Sequence, residues 1–274
     1  MAVDDLWYLK RRGPDGQRLP SKRHGRGMRW RVRYTDPDTG KPRESLWDKK
    51  VDAEREDANQ RADISRGRWI DPRAGKVTVA EFAAAWREQQ LHRDSTADLV
   101  ERSFRIHIEP TLGALPLGNV RTSHLRGWVK HMDTATDLAA STIGLMFGYL
   151  SAMFATAVHD RIIAENPCRD VRLPEIDRGT RFIPTADQVH AVASALPDRY
   201  RPVPYLAAGC GLRQSEIMGM ELPHVEFLRR EVRVAQQLKY VTGRGRYIGP
   251  TKTTTSKRTV ELPDIVSTAL AKHL

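Results

Sequence analysis

The residues best suited to chemistry stand in one short stretch, Pro204 to Met220, which reads PYLAAGCGLRQSEIMGM. Arg213 precedes Glu216 by three residues, a spacing that lets the two share a helix face and pair. Such a pair is either a structural lock on the helix or a cation held rigidly by a carboxylate and aimed at a phosphate. Tyr205, Leu206, Ala207 and Ala208 read as buried helix, and the pair Gly209 and Gly211 then breaks the pattern. An arginine amid apolar residues needs partners, because burying an unpaired charge is costly.

A second pattern lies in MRWRVRYTDPDTGKPRESLW. Trp30, Val32 and Tyr34 alternate with Arg29, Arg31 and Arg33, and period-two alternation ahead of DPDTG marks a β-hairpin. Lys41 and Arg43 lie beyond the turn in the same basic hairpin. A strand pair with an arginine face can enter a DNA major groove, where the planar guanidinium fork binds phosphates and guanine edges. The plainer alternative is a half-solvated sheet face. GRGRYIG has the spacing GxGxxxG between strands and is not a dinucleotide fingerprint, and no GxSxG or Walker A sequence occurs.

The chain has 274 residues, 45 Lys plus Arg against 34 Asp plus Glu, and a net charge of +11. That excess favours polyanionic partners, of which nucleic acid is the common one. Two distant cysteines, Cys168 and Cys210, make neither a disulfide framework nor a metal site, and the nine histidines stand at no ligand spacing. No metal or other cofactor is expected, and cysteine usage fits a cytoplasmic setting. MAVDDLWYLK carries acids where a signal peptide is basic. The apolar run Leu145 to Val158 is short for a membrane span and reads as a core helix.

Three regions must position these residues. Residues 1–72 are basic and turn-rich, with fourteen Lys/Arg against seven Asp/Glu in the first fifty. They read as a three-stranded sheet backed by one helix ending at Gly67. Residues 76–166 read as four helices: one opened by the capping box Thr78/Glu81, one over Thr96–His107 stopping at IEPTLGALPLGNV, then TSHLRGWVKHM and STIGLMFGYLSAMFATAVHDRII. Residues 167–179 read as a linker. In 180–274, a helix opened by Thr185/Gln188 and the arginine stretch precede EVRVAQQLKYVTGRGRYIGPTKTTTSKRTVELP, which reads as a meander of two or three strands.

With these stretches in this order, the sequence resembles the tyrosine recombinases, or phage-type integrases. GCGLRQSEIMGM is similar to the family's TGLRxSEL box, whose first catalytic arginine would be Arg213, supported by Glu216. GPTKTTTSKRTVELP is similar to the PKTxxSxRxVPL hairpin, whose lysine would be Lys252, with Ser256 and Arg258 at the DNA. HIEPTLGALPL followed by RIIAENPCRDVRLP resembles the core-binding domain and its exit. The resemblance implies a multidomain, mainly α fold with small β parts: an arm-type sheet-and-helix domain at 1–72, a SAM-like helical core-binding domain at 76–166, and part of an α+β catalytic domain at 180–274. It also implies cleavage and rejoining of double-stranded DNA through a phosphotyrosine, with neither metal nor nucleotide, in a homotetramer on DNA.

In the family a His-x-x-Arg box and the nucleophilic tyrosine follow the lysine. Here fourteen residues follow Val260, without either, and Tyr200, Tyr205, Tyr240 and Tyr247 all precede Lys252. The expectation is therefore an integrase truncated within its catalytic domain, which binds DNA and does not cut it alone. The alternative is a non-catalytic DNA-binding regulator or a decayed integrase remnant.

Overall fold

A computed structural model describes the chain except Met1, Arg178 and Arg181; the last two fall in or beside the expected linker. It divides into two compact units, Met1–Gln90 with Val100–Ile176, and Leu91–Leu99 with Asp177–Leu274.

The first unit opens with β1 (Ala2–Asp5), β2 (Tyr8–Arg12), β3 (Arg18–Pro20), β4 (Trp30–Thr35), β5 (Pro42–Trp47) and α1 (Lys50–Ser65). β1, β4 and β5 form an antiparallel sheet with β4 central, and β2 and β3 form a separate two-stranded ribbon inserted between β1 and β4. Val32 and Tyr34 of β4 are buried with Ala53 of α1, and Tyr34 meets Trp69 edge-on at 6.2 Å between ring centroids. The period-two pattern thus buries one face of β4, as strand geometry requires.

The rest of this unit is helical: α2 (Val79–Glu88), α3 (Asp94–Ser103) from Val100 onward, α4 (Glu109–Leu112), α5 (Thr122–Ala135) and α6 (Ala140–His159). The Thr78/Glu81 box caps α2 reciprocally. The helix expected to stop near His107 instead continues through a π-helical segment, Phe104–Ile108, into α4. Pro110 is the second residue of α4, directly after that π-helical segment. α6 is long and apolar enough to cross a membrane by length and composition. Its Ile143, Leu150, Met153 and Phe154 are all fully buried in this unit's core, together with Phe104 and Leu125. Cys168, Val171 and Leu173, within the stretch expected as linker, pack on the same core.

The second unit holds α7 (Ala186–Ala195), α8 (Pro202–Cys210), α9 (Gln214–Met218), β6 (Val225–Glu226), β7 (Glu231–Val234), β8 (Gln236–Val241), β9 (Gly245–Pro250), β10 (Arg258–Glu261) and α10 (Asp264–Ala271). Its strands do not form one meander. β7 is central between β6 and β10, while β8 and β9 pair only with each other. Val232 and Val234 are buried in the core with Leu206, Leu262 and Val266. β8 begins with Gln236 and Gln237, whose amides bond elsewhere, so it leaves that apolar surface.

Candidate active site

Arg213 is the N-cap of α9, between the buried Leu212 and Ile217, and these two apolar anchors fix the turn. The chain enters it through Gly211, whose φ of 63° lies in the left-handed region that glycine adopts without strain. Gly209, expected to help break the helix, lies inside α8; a Cβ there would come within 2.6 Å of Val266 Cγ2. Its smallness lets α8 approach α10.

Glu216 is the centre of the arrangement. Its carboxylate accepts from the Arg213 backbone N–H at 2.9 Å and from Arg213 Nη1 at 3.0 Å. It also accepts from Arg258 Nη1 at 3.1 Å and Nη2 at 2.9 Å. The Glu216 side chain is 3% exposed, that of Arg258 29% and that of Arg213 68%. One buried carboxylate therefore seats two guanidiniums, one turned inward and one facing solvent. The bonds from Arg258, opposed by burial and reinforced by Arg213, hold the Glu216 carboxyl at about 2, well below the ordinary 4.5. Arg213 is thus an exposed, oriented cation, able to receive an anionic oxygen without reorganising.

Lys252 is exposed on the connection from β9 to β10. This joins two different sheets, so the lysine does not sit at a hairpin tip; Thr242 to Arg244 make that turn. A side-chain bridge links its approach to α9: Ser215 Oγ donates to Gln237 Oε1 at 3.2 Å, and Gln237 Nε2 donates to the Pro250 carbonyl at 2.9 Å. Gln236 Nε2 donates to the Gly219 carbonyl at 2.8 Å, just past the end of α9. Lys252, Lys257, Gln237, Tyr240 and Tyr247 line an open cavity of about 730 Å³. Ser256 hydrogen-bonds Thr253 at 2.8 Å, within the lysine segment.

The arginines of the first hairpin are engaged. Asp5 binds Arg29 through two bonds, at 3.1 and 2.8 Å, and Arg18 at 3.1 Å. Asp4 binds Arg33 at 2.8 Å, Arg31 at 3.2 Å and Lys10 at 3.2 Å. Arg43 binds Asp36 and Asp71 at 3.0 and 2.9 Å. Burial alone would raise the Asp36 carboxyl, but bonds from Thr39, Arg43 and Asp38 bring it down to about 2. Lys41 is exposed in the turn. The arginine face predicted for DNA is thus engaged by the acids of the neighbouring β1, which stand 24 or more residues away in sequence and gave no signal for this pairing. Burial pushes the Cys168 thiol up to about 12, which leaves it inert as a nucleophile.

No family model matches this chain. It is 27% identical over 273 residues to an integrase of Mycobacterium phage D29, an alignment covering 93% of this chain and 70% of that protein. An integrase of Mycobacterium phage L5 is 26% identical over 260 residues, covering 91% and 69%. A tyrosine recombinase XerC-like protein of Caldanaerobacter subterraneus is 29% identical over 150 residues, 49% of this chain and 38% of its own. Among solved structures, the Tn1549 transposon integrase in complex with a circular intermediate DNA matches with a TM-score of 0.63 and 27% identity, over 72% of this chain and 64% of that one. A lambda integrase dimer bound to a COC' core site shares the fold, with a TM-score of 0.51 and 18% identity. The chain thus spans 64% of the Tn1549 integrase chain and 70% of the D29 integrase. With integrase likeness across 93% of its sequence and a fold like that of a transposon integrase, the chain is similar to the tyrosine recombinases.

Proposed function

We propose that this chain binds double-stranded DNA and serves site-specific recombination of the integrase kind, in the cytoplasm and as a homotetramer on its site, with a nucleophile that is none of Tyr200, Tyr205, Tyr240 and Tyr247. The observation that carries this reading is the solvent-facing Arg213 held on the buried Glu216, which Arg258 shares. In the reaction a tyrosine hydroxyl gives up its proton to solvent as its oxygen bonds to phosphorus, the P–O5′ bond breaks, and the 5′ oxygen takes a proton. Arg213 binds the non-bridging oxygens and offsets their charge in the transition state. Lys252 supplies the proton to the leaving oxygen. Glu216 positions Arg213, and Arg258 completes the seat. Residues 1–72 serve as the arm-site module, 76–166 as the core-site module and 180–274 as part of the catalytic module.

A second reading, DNA binding without cleavage, draws on the tyrosines present. Tyr205 hydrogen-bonds His190 at 3.0 Å, Tyr247 lies under Arg244, and Tyr200 and Tyr240 have no matching motif. The test is a nicked duplex carrying the attachment site, scored both for binding and for a covalent adduct on a denaturing gel. These 274 residues are expected to bind without forming an adduct. Absence of any duplex binding overturns the recombinase reading; an adduct overturns the exclusion of these tyrosines.

A further inference from the structure

We infer that the β2–β3 ribbon and the following Ser21–Gly27 turns, rather than the arginine face of β4, grip the phosphate backbone of duplex DNA; this rests on the DNA-directed reading above. Residues 8–27 carry seven Lys/Arg and one Asp, a net of +6, whereas residues 1–50 as a whole reach +7. Nearly all the excess charge of this region is therefore in twenty residues.

Lys10 and Arg18 are on Asp4 and Asp5, but the other five cations of this stretch are unneutralised. Arg29, Arg31, Arg33 and Arg43 are on carboxylates. Among the described residues no carboxylate lies within ion-pair distance of Arg11, Arg12, Lys22, Arg23 or Arg26, and all five are exposed. Arg12 donates to the Gly16 carbonyl across the ribbon turn.

The surface is held in place before any ligand arrives. Ser21 N–H donates to the Trp7 carbonyl at 2.9 Å, His24 Nε2 lies 3.1 Å from the Tyr8 hydroxyl, and Trp7 Nε1 donates to the Gly27 carbonyl at 3.3 Å. The rings that would anchor a lipid surface are occupied: Trp7 and Tyr8 both lie against the Arg29 guanidinium. Five of the seven cations are arginines, whose planar forks suit phosphate oxygens. A two-stranded ribbon is also of a width that follows a DNA groove.

The experiment uses the full chain and a variant, R11Q/K22Q/R23Q/R26Q, with a fluorescein-labelled duplex of about 30 base pairs titrated at 50–200 mM salt. Each phosphate that the protein no longer neutralises lowers the log–log salt slope by about 0.9, so a drop of about 2 or more and about tenfold weaker binding are expected. Circular dichroism and Tm should not move. Lys22 acetylation in the unmodified chain should slow when duplex is added, and this decides the matter if the variant misfolds. An unchanged slope, or unchanged Lys22 acetylation, overturns the ribbon while leaving the recombinase reading in place. An unmodified chain that binds anionic vesicles and no duplex overturns both.

Discussion

At the residue scale, Glu216 has a double duty that no single neighbour reveals. Its charge is the counterweight to Arg213 and Arg258 together, so Glu216→Gln keeps the shape and loses the balance. We expect a loss of about 2 kcal/mol in denaturant unfolding, in the range of charged hydrogen bonds with a buried member. The pH dependence has a definite sign. A carboxyl held at about 2 in the fold, against 4.5 ordinarily, contributes fully above about 4.5 and loses its contribution as pH falls towards 2. Unfolding midpoints should therefore drop across that acid window, less steeply in the Gln variant. An equal slope in both would remove Glu216 from that role. The Arg213–Glu216 pair was legible because three-residue spacing is local. Arg258 was read as a DNA contact, and its bond to Glu216 was not legible, because it stands 42 residues away and meets Glu216 only once β10 lies beside β7.

At the element scale, α9 and the β8–β9 pair act as one support for the lysine segment. The β-branched runs correctly suggested strands, but their spacing could not show that the chain changes sheets at Ala235. That choice is made by two adjacent glutamines whose amides bond across to α9 and to Pro250. Gln237→Ala should cost about 1 kcal/mol. Amide hydrogen exchange in residues 251–257 should quicken several-fold, with little change in α6. Unaltered exchange there would mean that the bridge holds nothing. Lys252 follows Pro250 by two residues, so its Cα stays within about 7 Å of an anchored Cα. A side chain on so short a leash samples a small volume, which raises its effective concentration there.

At the scale of the whole molecule, net charge pointed to a polyanionic partner, yet composition could not say which cations are free. Asp4 and Asp5 of β1 engage Lys10, Arg18, Arg29, Arg31 and Arg33 between them. Burial would raise the carboxyls of Asp4 and Asp5, and these cations instead hold both below their usual range. The triple change R29Q/R31Q/R33Q should therefore act on stability, by about 2 kcal/mol, with the half-exposed Arg33 contributing least. Its DNA salt slope should fall by less than about 1. A large drop in slope at full stability would return the DNA-binding role to β4. The ribbon has a consequence of another kind. Seven Lys/Arg peptide bonds stand in twenty residues around exposed glycine turns, which is what trypsin selects. The stretch that holds the charge is then a place where trypsin can open the chain, and a bound duplex would shield it, so digestion maps the same surface without any substitution.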